Sequence, residues 1–275
     1  MYNVFDAHCH IYPPDIAPRA VAGGDTFYDG LPVKPRDGTA TTLIETGRAA
    51  GISHFVVFSV ATSPHQVSSI NRFISRCVAE SGGAMTGLGA MHLESDDYAR
   101  DLAELQSLGL KGVKLHPDIQ KFVANDPRCM EICALCEERG LPLCIHAGDS
   151  RYGYSNPDRL VKLPEAFPRL KLIAAHLGGW SVWEEASRRL AAYPNVLVDC
   201  SSSLYWLTPE KAREIIRAYG SERVLFGTDY PFWPQDLEIR DLLALNLTNA
   251  EYENIFWRNA ARLYGLRDEE AAADA

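Results

Sequence analysis

No stretch of the 275 residues stays apolar for the roughly 20 positions that a membrane-spanning helix needs. The apolar N-terminal run from Val4 to Ala7 is interrupted by Asp6 and ends at His8. No basic segment precedes it, so neither a membrane anchor nor a secretory signal is expected. Positive charge is scarce. Against 36 Asp and Glu stand only 27 Lys and Arg, and the net charge of −9 argues against a nucleic-acid partner. The seven cysteines are an odd number and sit mostly inside apolar segments, which fits reduced thiols in a cytoplasmic protein rather than a disulfide framework. A Gly-rich phosphate loop is missing from the position after the first strand, where a doubly wound nucleotide-binding sheet would carry one. What remains is an ordinary globular composition, 47% hydrophobic and 23% charged. A chain of this length can bury roughly three-quarters of its unfolded surface.

Strand and helix signals alternate along the whole chain. Short β-branched and apolar runs at 3–10, 55–60, 85–91, 112–116, 142–146, 170–176, 195–200 and 223–227 read as strands buried on both faces, as in a parallel sheet. Helical segments separate them, near 41–50, 64–81, 97–108, 126–140, 159–167, 183–192 and 208–219. Asp126-Pro127 and Thr208-Pro209 supply N-cap and N1 residues, and Gly51, Gly109, Gly140 and Gly220 supply stops. Two further helices, about 235–245 and 248–264, close the chain. The stretch 11–38, with Pro13, Pro14, Pro18, Gly23, Gly24, Gly30, Pro32 and Pro35, reads as a long binding loop or lid. Eight β/α units predict an α/β fold, a single (β/α)8 TIM barrel over 1–266 with C-terminal helices. An acidic, flexible tail at 267–275 is expected to follow.

In such a barrel the chemistry lies at the C-terminal strand ends. Strand one ends in His8 and His10, which alternation places on one side of the strand. Strand four ends in Lys114 and His116, strand five in His146, strand six in His176 and strand eight in Asp229. Imidazoles plus a carboxylate make a shell for a divalent ion with room for water. Other motifs point elsewhere. Cys129, Cys133 and Cys136 have the spacing of an iron–sulfur motif but fall on one apolar stripe of a capped helix, so they are expected in the core. His54 and His65 are expected at the surface or in caps, and His92 follows strand three. Gly178-Gly179 suits either a phosphate nest or a close backbone approach. Tyr12, Phe27, Tyr28, Arg151, Tyr152, Tyr154, Trp180, Tyr205, Trp206, Tyr230 and Trp233 would form an aromatic rim, with Arg151 able to pair a carboxylate.

Five segments carry a resemblance: Asp6-Ala7-His8-Cys9-His10, 112–117 (GVKLHP), 144–148 (CIHAG), 175–179 (AHLGG) and 226–231 (FGTDYP). Together with the closing helix 254–263 they resemble the amidohydrolase superfamily. The likeness is greatest to its amidohydrolase-related branch, which includes aminocarboxymuconate semialdehyde decarboxylase and aryl decarboxylases. The resemblance implies one divalent metal, Zn2+ first with Mn2+ or Fe2+ as alternatives. It implies His8, His10, His146 and Asp229 as ligands, with His176 and Asp229 as the catalytic pair. Binuclear members bridge two metals through a carboxylated strand-four lysine, the position that Lys114 occupies here. Here Lys114, His116, Arg151, Tyr152, Trp180, Tyr12 and Trp233 are taken as supporting or substrate-binding residues.

The expected activity is metal-dependent hydrolysis of a small ester, lactone or amide, with Asp229 taking a proton and His176 stabilising the oxyanion. The alternative is non-oxidative decarboxylation of an aromatic or unsaturated acid with His176 as proton donor, and a third is a catalytically inactive binding barrel. The partners implied are a small-molecule substrate and, by resemblance, a second copy in a homodimer.

Overall fold

The apolar runs form parallel strands β1 (Val4–His10), β2 (Ile52–Phe58), β3 (Met85–Gly87), β4 (Gly89–Ala90), β5 (Val113–Leu115), β6 (Leu143–Ile145), β7 (Leu172–Ala174), β8 (Val196–Asp199) and β9 (Val224–Leu225). This computed structural model describes residues 2–266; the expected tail at 267–275 lies outside the described residues. Within each of two ladders, β1 to β3 and β4 to β9, every strand pairs in parallel with the next. The seam closes where Ala7 N donates to Phe226 O (2.8 Å) and His10 N to Tyr230 O (2.7 Å). The barrel is the expected one.

One strand departs from expectation. The run 85–91 is not continuous but splits at Leu88, whose N–H donates to Val57 O on the β2 side, while Gly89 N–H donates to Gly112 O on the β5 side. Glycines flank the split because helices press on it. A Cβ at Gly87 would lie 2.8 Å from Ile74 on the helix Val67–Glu80, and one at Gly89 2.0 Å from Leu105 on the helix Tyr98–Ser107.

The stretch 11–38 is also not all loop, since it contains the helix Ala17–Phe27. Its proline lies in the first turn, where a missing N–H costs nothing. Gly24 sits inside the helix because a Cβ there would meet the Phe232 ring at 2.3 Å. The helical segment expected at 159–167 is observed as two short helices, Pro157–Leu160 and Lys162–Ala166. The predicted helix at 126–140 is observed as Pro127–Arg139, with Asp126 capping Arg128 N and Gly140 at φ +67°. Cys129, Cys133 and Cys136 are fully buried on it, packed in the core.

Two apolar layers hold the barrel. One lies between strands and outer helices. The other fills the interior with Phe5, Ala7, Val56, Phe58, Leu88, Cys144, Ile173 and Leu225, and the C-terminal helical segment plugs it with Trp257, Ala260 and Ala261. Among the described residues, no helix is long and apolar enough to cross a membrane.

Candidate metal centre

Strict alternation along β1 would separate Phe5 and Ala7 from His8 and His10, yet all four share one side. Phe5 and Ala7 belong to the interior layer with Val56 and Phe58, and the Phe58 ring also meets the rings of His8 and His10 edge-on at 4.9 Å each. A register shift between Asp6 and Cys9 reconciles the two. An extra residue in one strand flips the facing of everything beyond it. Below the irregularity β1 contributes to the core; above it, the same strand turns two imidazoles inward.

Those imidazoles meet Asp229. Nε2 of His8 and Nε2 of His10 each lie 3.4 Å from Asp229 Oδ1, and Ser202 Oγ donates to Asp229 Oδ2 (2.6 Å). Asp6 helps join the two chain segments by accepting from Thr228 N and Oγ1. His8 Nδ1 donates to Asp199 Oδ2 (2.9 Å), while Lys114 Nζ donates to His8 Nε2 (3.1 Å). That pair of bonds places the ring proton on Nδ1 and leaves the Nε2 lone pair facing inward. Asp199 Oδ1 accepts from Ser201 Oγ (2.5 Å), and Ser201 O and Oγ both contact His176 Nδ1. A single buried carboxylate therefore orients both His8 and His176.

His176 Nε2 in turn lies 3.0 Å from His146 Nδ1. With His176 Nδ1–H directed at the Ser201 carbonyl, His146 Nδ1 is the donor of that bond. Its Nε2 then keeps a lone pair, and that atom is buried without a hydrogen-bond partner. Asp118 Oδ2 lies 3.7 Å from it, and the His116 ring stacks on His146 at 3.9 Å. Donor atoms close enough to share an ion form three groups among the described residues: His8–His10–Asp229, His8–His176–Asp199 and His116–Asp118–His146. The structure thus brings three of the four expected ligands together and sets His146 beside them, linked through His176. The partnerless His146 Nε2 and the nitrogen-plus-carboxylate donor set fit a divalent cation.

Electrostatics agree with a cation site. Burial, with the Lys114 charge, lowers the His8 pKa to about 4 against the pull of Asp199. Burial also lowers His10, His116 and His146. Neutral imidazoles are the ligand form. Burial raises Asp229, but the hydrogen bond from His10 and the neighbouring histidines outweigh it and hold the carboxyl well below its usual range. Burial pushes Asp118 up to about 7, partly offset by the Ser155 hydroxyl. His176 (φ +59°) and Asp229 (φ +56°) both occupy the left-handed backbone region. Such strain costs on the order of 1–3 kcal/mol per residue and persists where the surroundings over-determine it.

Above this centre lies a cavity of about 820 Å3. His10 and His116 open onto it, and Tyr12, Phe27, Tyr28, Tyr152, Tyr154 and Phe232 wall it. Tyr12 and Tyr152 therefore stand where the aromatic rim is expected. Arg151 stands outside the lining. It pairs with Asp149 and Asp29 and donates to Phe27 O, clamping the end of the helix Ala17–Phe27 to the loop after β6. Trp180 packs edge-on to Tyr28 and under the Arg151 guanidinium. Trp233 is buried against the exposed Tyr205 and Trp206. Lys114 is buried beneath the cavity, over the Phe58 ring.

His54 is not at the surface. It is buried against Phe5 and paired with Thr86 Oγ1 (3.0 Å). His65 is exposed, and His92 Nδ1 accepts from Glu94 N. Gly148 marks the close backbone approach suspected for the glycine pair, since a Cβ there would lie 2.5 Å from the Gly179 carbonyl carbon. Asp118 and Asp199 escaped the sequence reading. Asp199 ends β8, so the rule that found the histidines would have found it had carboxylates been sought at every strand end.

The sequence profile of the amidohydrolase family matches residues 5–266. Among curated proteins, a 2-amino-3-carboxymuconate-6-semialdehyde decarboxylase of Caenorhabditis elegans is 24% identical over 191 residues, which cover 54% of this chain and 47% of that protein. The match thus spans about half the length of the curated relative. Among solved structures, a TIM-barrel protein of Bordetella bronchiseptica superimposes with a TM-score of 0.77 at 23% identity, covering 96% of this chain and 98% of that one. A 5-carboxyvanillate decarboxylase of Novosphingobium aromaticivorans, solved with manganese and 4-hydroxy-3-methoxy-5-nitrobenzoic acid, gives 0.75 at 16% identity, covering 96% of each chain.

Proposed function

The chain belongs to the amidohydrolase family, whose members are metal-dependent hydrolases or decarboxylases, and from that premise we propose that it removes CO2 non-oxidatively from an aromatic or unsaturated carboxylic acid. One observation carries the choice: where the cavity opens onto His10 and His116, the rings of Tyr12, Phe27, Tyr28, Tyr152, Tyr154 and Phe232 contribute to its lining, which suits a planar substrate. The decarboxylases among the relatives point the same way.

His8, His10, Asp229 and His146 would hold the divalent ion. The ligand chemistry suits Zn2+, and the manganese in the Novosphingobium decarboxylase supports Mn2+ equally. The ion supplies a Lewis acid that polarises substrate oxygens and steadies the developing negative charge. The aromatic walls orient the ring and exclude water. As the bond between the ring or alkene carbon and the carboxyl carbon breaks, its electron pair stays on the former, and CO2 leaves. His176, held at Nδ1 by Ser201 and Asp199, would first take up a solvent proton at Nε2 in place of the bond from His146 Nδ1, and pass that proton to the carbon. Lys114 supports His8 from below, and Arg151 holds the cavity wall closed.

Hydrolysis of a small ester, lactone or amide is the second reading, favoured by Asp229, an ionised carboxylate placed as proton acceptor. Incubation of the metal-loaded protein with carboxyl-labelled aromatic acids separates the two. Trapped 13CO2 supports decarboxylation, whereas release of a new acid from an ester panel without CO2 overturns it in favour of hydrolysis. A reducing, cytoplasmic setting suits the seven free thiols, and the exposed Tyr205 and Trp206 suit a homodimer contact.

A further inference from the structure

A cavity of about 820 Å3 is of the size that holds a drug-sized ligand, more than one carboxylated ring requires. Its extra length lies between two helix faces. Ile16, Arg19, Ala20, Gly23 and Phe27 line one side, at the spacing of a single face of the helix Ala17–Phe27 and its N-cap. Ser69, Ile70, Phe73 and Arg76 line the other, on one face of the helix Val67–Glu80. From Ser69 to Arg76 this second face runs about 10 Å along its axis. The walls are apolar in the middle, at Ile16, Ala20, Ile70 and Phe73, and each helix contributes one arginine.

Both arginines are exposed, and neither forms an ion pair with a carboxylate among the described residues, so each guanidinium can receive an anion at the cavity edge. Of the acidic residues lining the cavity, Asp118 faces His146 at the inner end, and Asp15 is exposed one turn before Arg19.

We infer that the groove between these two helices is a subsite for the far end of an elongated substrate, an acid with an apolar middle and a second anionic group engaged by Arg19 and Arg76. This rests on the reading of the cavity as the substrate site and names the class of substrate it takes. The helix Ala17–Phe27 becomes a specificity element. Its inner end, clamped by Arg151, closes over the reacting group, and its outer end reads the length and charge of the tail. Guanidinium groups suit this task because their planar donors match a carboxylate or phosphate.

The test uses three probes on the metal-loaded full chain, followed by calorimetric titration: salicylate, salicylate with a pentyl tail, and salicylate with a carboxypentyl tail. The carboxypentyl compound should bind about five- to tenfold more tightly than the pentyl compound, as two partly exposed ion pairs allow. Arg19→Gln and Arg76→Gln should each erode that preference, and together abolish it, while binding of salicylate and of the pentyl compound stays unchanged. Arg76→Lys should retain part of the preference. Equal affinity of the two tailed compounds for the wild type would overturn the subsite, as would an equal loss for all three probes in the variants. Because binding is read without turnover, a tail preference with no CO2 from any acid would count against decarboxylation alone. Failure of all three probes to bind would overturn both.

Discussion

Asp199 offers the sharpest test of the centre. Its Oδ2 accepts from His8 Nδ1 and its Oδ1 from Ser201 Oγ and from the backbone N–H groups of His176 and Ser201. In Asp199→Asn the amide can keep its oxygen on the Ser201 side, which turns its NH2 group toward His8. The ring must then accept at Nδ1 and carry its proton on Nε2, the atom proposed to face the metal. The wrong tautomer blocks ligation until the amide or the ring rearranges. Loss of such an outer-shell partner weakens metal binding by about 10- to 100-fold, or about 1.4–2.7 kcal/mol. Competition with a chromophoric chelator for Zn2+ and Mn2+ measures this directly, and urea unfolding of the metal-free proteins checks that the barrel survives. Metal affinity within twofold of wild type, with the fold intact, would refute the tautomer argument.

Metal content by plasma mass spectrometry should be about one ion per chain, as for a mononuclear shell, and His8→Ala and Asp229→Ala should each lose it. A second ion abolished by Lys114→Met would move that lysine into the ligand set. Gly148→Ala must hold φ near +75° and press a methyl group against the Gly179 backbone. It should lose about 2–4 kcal/mol of stability in urea unfolding; a loss under 1 kcal/mol would mean that the two loops can part freely. Glu238 is fully buried with both carboxylate oxygens unpartnered, and burial, followed by the charges of Asp241 and Asp229, raises its pKa well above the usual value. The folded state holds that proton more tightly than the unfolded chain. Its contribution is therefore complete below the unfolded pKa and is lost as pH rises through the folded one. Glu238→Gln should accordingly raise Tm at pH 8 and leave it near wild type at pH 4.5, and a lower Tm at pH 8 would contradict this.

The barrel was legible because it is written locally: eight apolar runs, each punctuated by caps and glycines, need no long-range information to be counted. The strand-end histidines and Asp229 were legible for the same reason, since position along a strand is a sequence property. Where local signals misled, a tertiary contact had overruled them. Gly24 reads as a helix breaker, yet it is the one residue small enough for a helix to pass the Phe232 ring. His54 reads as a surface or capping residue, yet Thr86 satisfies it inside the core.

The sequence alone determined the alternation of strands and helices around the barrel and which strand ends carry the imidazoles and Asp229. Only the tertiary structure decided how those groups face one another. The irregularity in β1 appears as a shift in pairing with β2, so nothing in residues 4–10 by themselves announces that His8 and His10 turn inward beside Phe58. Asp199 orients His8 across 191 positions of sequence. Proton position, ligand geometry and cavity length all depend on such distant pairs, because a buried polar atom takes its partner from whatever the fold packs against it.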